Sequence, residues 1–150
     1  MSAIALFQPD IPQNTGAVIR LAACLGAPLD IIEPCGFTFT ARDLKRAAMD
    51  YGAQADIHRH VSWEAFLEAR AGRRLVLFTT AAETSYLTPR YRPDDILLFG
   101  RESAGAPDFV HQRADLRVRI PLQPGARSLN LAIAAGIALS EARRQQIPPA

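Results

Sequence analysis

The sequence predicts an α/β protein built on a mostly parallel sheet with helices on both faces. Three observations carry that reading. Short apolar runs alternate with stretches of helical period along the whole chain, the rhythm of strand–helix–strand units. Two of the runs, Leu75-Val76-Leu77-Phe78 and Ile96-Leu97-Leu98-Phe99, are apolar without interruption, as strands covered on both sides are. With 150 residues, 49% hydrophobic and 21% charged, residues 1–150 have the size and balance of one domain with a real core.

The elements follow in order. Residues 4–7 read as a first buried strand. No basic region precedes them and Gln8-Pro9-Asp10 follows too soon for a signal peptide. Asn14 is the expected N-cap of a helix carrying Val18, Ile19, Leu21, Ala22 and Leu25, stopped at Gly26. Leu29–Ile32 is the next strand. Thr40 caps a helix ending at Met49, with Asp43 at capping-box spacing. A short strand is expected near Ile57. Ser62 caps a helix with Trp63, Phe66 and Leu67 on one face, closed near Gly72. Leu75–Phe78, Ile96–Phe99 and residues 116–120 are three further strands. The final helix is apolar on every side over residues 129–139, so it should be buried on every side, either in the core or under a second subunit. It turns charged at Glu141, Arg143 and Arg144, where it is expected to emerge.

Composition excludes several classes. No apolar run approaches the roughly 18 residues of a membrane span, and the cytoplasm is the default location. Cys24 and Cys35 make neither a disulfide framework nor a zinc site, and read as small core or semi-buried thiols. His58, His60 and His111 have no metal spacing, and His58 and His60 are expected in solvent. No metal is implied. The chain lacks a Gly-x-Gly-x-x-Gly after its first strand and a Walker loop, which argues against the common dinucleotide and nucleoside-triphosphate folds. The net charge of +2 neither demands nor forbids nucleic acid. Lys45 is the sole lysine. Arginine suits bidentate phosphate contacts, although a GC-rich coding genome is the plainer source of the bias.

Three segments carry candidate chemistry. The strand ending at Phe99 runs into Gly100-Arg101-Glu102-Ser103-Ala104-Gly105-Ala106-Pro107. The glycines let a ligand or a neighbouring backbone come close, and a plain turn has no need of Glu102. Pro107 suits the first turn of a following helix. Ile120-Pro121-Leu122, a Pro-Gly loop and Ser128-Leu129-Asn130 form the second segment. Ser128 is the expected N-cap there. An apolar wall beside backbone N–H groups suits a flat ring such as adenine. Asn14-Thr15-Gly16 with Arg20 is the third. A helix arginine usually snorkels to solvent, which is the plain alternative for Arg20.

Taken together, these segments resemble the SPOUT class of RNA methyltransferases along essentially the whole chain. Within that class they look like the small, single-domain tRNA wobble-position 2′-O-methyltransferases. Ile31-Ile32-Glu33-Pro34 with Gly36-Phe37 is similar to that group, as is the lack of an added N-terminal RNA-binding domain. The resemblance implies a deep C-terminal trefoil knot, a homodimer, and S-adenosyl-L-methionine bound by the knot loops. By position Phe78, Thr79, Gly100, Glu102, Ile120, Leu122, Ser128, Leu129 and Asn130 would line the cofactor site. Arg20 would be the catalytic residue. Asn14, Thr15 and Gly16 would serve RNA binding or structure, with a tRNA anticodon stem-loop as partner. Arg101 and Ser140 depart from the pattern, which leads one to expect a small residue and a tyrosine there. A ribosomal RNA 2′-O-methyltransferase and a non-catalytic S-adenosylmethionine- or RNA-binding protein are the alternatives. A nucleotide-binding oxidoreductase ranks last.

Overall fold

The computed structural model describes residues 1–50 and 55–148. Its elements are β1 (Ala3–Phe7), α1 (Pro12–Leu25), β2 (Leu29–Ile32), α2 (Ala41–Asp50), β3 (Ile57–His60), α3 (Trp63–Ala69), β4 (Leu75–Phe78), β5 (Ile96–Phe99), α4 (Asp108–Arg113), β6 (Leu116–Val118) and α5 (Leu131–Gln146). The strands form one sheet in the order β3-β2-β1-β5-β4-β6, and every neighbouring pair is parallel. Among the described residues no helix is long and apolar enough to cross a membrane.

Alternation along each strand divides the core in two. Ile4, Leu6, Leu29, Ile31, Val76, Phe78, Leu97 and Phe99 pack on one face against Val18, Ile19 and Ala22 of α1 and Ala135, Ala138 and Leu139 of α5. Ala3, Ala5, Phe7, Leu75, Leu77, Ile96 and Leu98 pack on the other against Trp63 and Phe66 of α3 and Val110 of α4. Burying both faces is why these strands carry apolar residues at successive positions.

Local signals end and begin the helices as their chemistry dictates. Gly26 closes α1 in the left-handed conformation at φ 66°. Thr40 and Asp43 form a reciprocal capping box, with backbone-to-side-chain bonds of 3.0 and 3.1 Å. The Ser62 hydroxyl accepts from the Ala65 N–H at 3.0 Å.

Several expectations are corrected. Asn14 is not an N-cap. The helix starts at Pro12, whose fixed φ and missing N–H suit a first turn, and the N–H groups of Asn14 and Thr15 already bond to the Ile11 carbonyl. Ser128 is not a cap either, because the Asn130 side chain takes the N–H groups of Ala132 and Ile133 and fixes the start of α5. Pro107 stands at the N-cap of α4, one residue before its first turn. The last strand stops at Val118, beyond which Arg119 makes only a bridge to Ser85. Within one subunit the final helix is not covered all round, since Ile133 is 55% exposed, which leaves the second-subunit alternative for that side. Glu141 is buried rather than emerging, with its carboxylate bonded to Arg144 at 2.9 Å and Gln145 at 3.0 Å. Cys24 is exposed.

His60 is buried as well, against expectation, while His58 is exposed. Asp30 draws it in. This carboxylate, 1% exposed, lies 2.7 Å from His60 Nε2 and accepts from Arg70 NH2 at 2.7 Å. Asp95 is likewise fully buried and takes bonds of 2.8 and 2.6 Å from Arg74. A buried charge is tolerable only with such partners. Replacing Asp30 with alanine leaves Arg70 and His60 without their anion. It should cost about 3–5 kcal/mol, the range for breaking a buried pair. The fall in urea midpoint at unchanged slope measures it.

Candidate cofactor cavity at the strand ends

In a parallel sheet all strands finish at one edge, and ligands collect where the connections diverge. Here the divergence falls at β4. The chain leaves it to one side to reach β5, then crosses to its other side for β6. A cavity of about 680 Å³ opens at that place. Phe78 and Thr79 from the end of β4 line it, as do Gly100 and Glu102 after β5. Ile120, Leu122, Ser128, Leu129 and Asn130 from the segment between β6 and α5 complete the lining.

The loop after β5 is built by its own backbone. Arg101 and Gly105 exchange N–H···O bonds of 3.2 and 2.9 Å, with Gly105 at φ 66°. A Cβ on Gly100 would lie 2.4 Å from the Ala106 nitrogen. Gly100 is therefore required for closure of this turn, the neighbouring-backbone role rather than the ligand-approach role. Arg101 is half-buried and anchored against the first strand's end. Its guanidinium bonds to the Gln8 side chain and lies 5.2 Å from the centroid of the Phe7 ring.

Glu102 joins this loop to the N-terminal one. It accepts the Asp10 N–H at 2.9 Å, and the Ser103 hydroxyl donates to the Asp10 carboxylate. Burial, with the Asp10 carboxyl beside it, pushes Glu102 above the usual carboxylate range. Asp10 is held below its ordinary value by hydrogen bonding to Glu102 and Ser103. The two neighbouring carboxyls are thus pushed apart in proton affinity, Glu102 upward and Asp10 downward.

Across the cavity, Asn130 Nδ2 donates to Asn14 Oδ1 at 2.9 Å, fastening the start of α5 to the first turn of α1. The cap consumes the N–H groups of Ala132 and Ile133, and Ala134 bonds the Asn130 carbonyl. The N–H of Leu131 is left over at the rim, as helix geometry requires. Asn14 lines the cavity, whereas Arg20, Thr15 and Gly16 do not. Arg20 and Gly16 are exposed on α1, and Thr15 is buried with its hydroxyl unpartnered among the described residues. Sequence reasoning missed Phe99, Arg127, Leu131 and Ala134 in the lining, and Thr80 beside Thr79. The signal for the first two was adjacency to Gly100 and Ser128, and for Ala134 its place one turn beyond Asn130. Among the described residues no group of three or more His, Cys, Asp or Glu could hold a metal ion.

A cavity with mixed apolar and polar walls at the end of a parallel sheet is what the fold offers, and comparison specifies the class. Residues 1–140 match the SpoU rRNA Methylase family, and the chain belongs to that family. A tRNA (cytidine(34)-2′-O)-methyltransferase of Beijerinckia indica is 56% identical over 144 residues, spanning 95% of this chain and 90% of that one. A solved structure described as giving structural insights into the 2-OH methylation of C/U34 on tRNA superposes with a TM-score of 0.89. It is 46% identical and covers 97% of this chain and 96% of its own. An AdoMet-bound rRNA methyltransferase from Sinorhizobium meliloti has a TM-score of 0.83 at 34% identity, covering 98% of this chain and 57% of that one.

The acid pair gives a signed prediction. Because the folded state holds the Glu102 proton more tightly than the unfolded chain, its contribution to stability is fully present below the unfolded value near 4.5. It is lost as pH rises through the raised folded value. Glu102→Gln, which mimics the protonated form, should flatten that decline in urea midpoints measured across the series. A variant with the slope of the parent would show that the folded state does not hold the Glu102 proton more tightly.

Proposed function

We propose that this protein moves the methyl group of S-adenosyl-L-methionine to the ribose 2′-oxygen of the wobble nucleotide of tRNA, cytidine or uridine 34. The observation that carries the reading is the likeness, over 97% of the chain, to the structure concerned with 2-OH methylation of C/U34.

The cavity suits the cofactor. At about 680 Å³ it lies within the range of small-molecule sites, roughly 300–1,000 Å³. Phe78, Ile120, Leu122 and Leu131 supply apolar walls for a flat ring, and the leftover N–H at the start of α5 supplies an edge donor. When bound, the cofactor supplies an electrophilic methyl group on a sulfonium. The task left to the protein is alignment with the 2′-hydroxyl. Phe78, Thr79, Gly100, Glu102, Ile120, Leu122, Ser128, Leu129 and Asn130 are the proposed cofactor residues.

Arg20 is the proposed catalytic residue. A guanidinium with a pKa above about 12 is no base at neutral pH. It acts instead as a clamp on the neighbouring phosphate and the 2′-oxygen, with the proton leaving late or to a phosphate oxygen. Arg20 is exposed on α1 and outside the lining of its own subunit's cavity, which supports a homodimer in which α1 serves the partner's site. Ile133 exposed on α5, with Leu129 exposed just before the helix, gives that dimer an apolar surface to bury. Asn14, Thr15 and Gly16 would shape the site where an anticodon stem-loop enters. One domain of residues 1–150, acting in the cytoplasm, completes the reading.

A C-terminal knot belongs to the same proposal. Residues between β4 and β5 grip both ends of the last segment. Tyr86 N–H bonds the Arg119 carbonyl at 2.8 Å, and Tyr91 N–H bonds Gln145 Oε1 at 2.8 Å. The likeness to an rRNA methyltransferase favours one second reading, the same chemistry on ribosomal RNA.

Labelled methyl transfer from S-adenosylmethionine to fractionated RNA from a strain lacking the protein tests the proposal. Label in tRNA as a 2′-O-methylated pyrimidine 34 supports it. Label confined to ribosomal RNA replaces the substrate, and no label overturns turnover. Arg20→Ala should lower kcat by more than about 100-fold, the scale of losing one transition-state contact, with cofactor affinity retained in calorimetry. Equal loss of both would refute the clamp. Ile133→Glu should yield a monomer in sedimentation that no longer methylates. An active monomer would sink the shared site.

A further inference from the structure

A second recess, of about 310 Å³, lies at the ends of β2 and β3 and has no part in the scheme above. Glu33, Cys35, Phe37, Phe39, Arg59 and Val61 line it. It sits on the same sheet edge as the cofactor cavity. The nearest strands bordering the two, β2 and β5, are two places apart in the sheet, about 10 Å. The two sites are also bonded together. Gly36 N–H meets the Pro9 carbonyl at 2.9 Å, and the Asp10 N–H next to it meets Glu102 at 2.9 Å.

Its polar groups are held in fixed orientation. Arg59 Nε–H donates to Glu33 Oε1 at 2.6 Å, and its NH2 donates to the Phe39 carbonyl at 2.6 Å. The guanidinium lies 5.3 Å from the Phe39 ring centroid, and Phe37 meets Phe39 edge-on at 6.0 Å. Those contacts leave Glu33 Oε2 and Arg59 NH1 without partners among the described residues. A fixed acceptor and a fixed donor therefore stand side by side, next to an aromatic ring. Val61, 79% exposed, forms an apolar lip. Burial, and then the charge of Glu33, pushes the Cys35 thiol up to about 11, so it presents a neutral wall at physiological pH. The volume is at the low end for ligand sites and suits a single ring better than a whole cofactor.

We propose that this recess holds the base of the nucleotide being methylated, with Phe37 as its stacking surface and the Glu33–Arg59 pair reading its edge. The inference rests on the function proposed above and names how that site chooses its nucleotide. Cytosine would give its N4–H to Glu33 and receive an Arg59 N–H at N3. Uracil, shifted by one position along its edge, would give its N3–H to Glu33 and receive Arg59 at O2, in the same order. Both pyrimidines satisfy the pair, and the recess is small for a purine.

Synthetic anticodon stem-loops with C, U, A or G at position 34 test this in two ways, by fluorescence anisotropy for binding and by methyl transfer for KM. Phe37→Leu keeps the bulk but removes the π face. It should weaken C34 and U34 binding and raise KM about tenfold, as loss of one base stack does, with cofactor affinity retained. Phe37→Tyr should restore both. Glu33→Gln should change the ratio of C34 to U34 binding. Unchanged stem-loop affinity in Phe37→Leu, failure of Phe37→Tyr to rescue, or equal binding of purine and pyrimidine loops would overturn the recess as a base site. Anisotropy needs no turnover, so the two readings separate. Phe37-dependent binding without methyl transfer would keep the recess and defeat the methyltransferase. Transfer indifferent to Phe37 would do the reverse.

Discussion

Six parallel strands ending at one edge are the constraint from which the rest of the architecture follows. Each strand end hands the chain to a loop there, and the loops brace one another because they cannot avoid meeting. The acid pair of Asp10 and Glu102 is the central brace. It ties the loop after β1 to the loop after β5, and through Pro9 and Gly36 to the loop after β2. A Cβ at Gly36 would come within 2.5 Å of the Asp10 Cβ, so this crowding is as tight as backbone allows. The loops that line the larger cavity and the smaller recess are thus braced to one another.

Arginine has a structural task in this chain that composition hides. Arg70 and Arg74 neutralise the buried carboxylates of Asp30 and Asp95, and Arg144 holds Glu141 below its ordinary value. Arg143 reaches the Leu25 carbonyl at the end of α1 at 2.6 Å. A planar fork that stays charged suits these pairings better than an ammonium would. Much of the positive charge is therefore spent within the fold rather than held out for phosphate.

Strands were legible because their signal is local. Uninterrupted apolar runs at residues 75–78 and 96–99 permit little else, and the cavity positions at their ends were found by counting past them. Helix starts were harder. Ser128 and Asn130 are equally good caps as residue types, and the choice was made by Asn14, a partner 116 positions away. His60 looked like a surface residue because Asp30 and Arg70, which pull it inside, lie on other elements. The coupling of Asp10 to Glu102 was invisible for the same reason, since it spans 92 positions. The recess at Glu33 and Arg59 needs residues from two strands and the loop between β2 and α2, and no sequence window contains it.

The last helix is stitched to the beginning of the chain. Gln146 bonds Ser2 at 2.8 Å, Arg143 bonds the end of α1, and Asn130 bonds its start. β1, the strand these contacts enclose, is central to the sheet yet among the first residues made. During synthesis the ribosome releases β1 and the wall residues Phe78, Thr79 and Gly100 well before it releases residues 120–134, which complete the wall. The nascent chain must therefore hold an unfinished cleft until residues 120–146 have followed. Folding of so non-local a structure is slow, and that exposed interval is when a chaperone, or a second nascent copy, would find it.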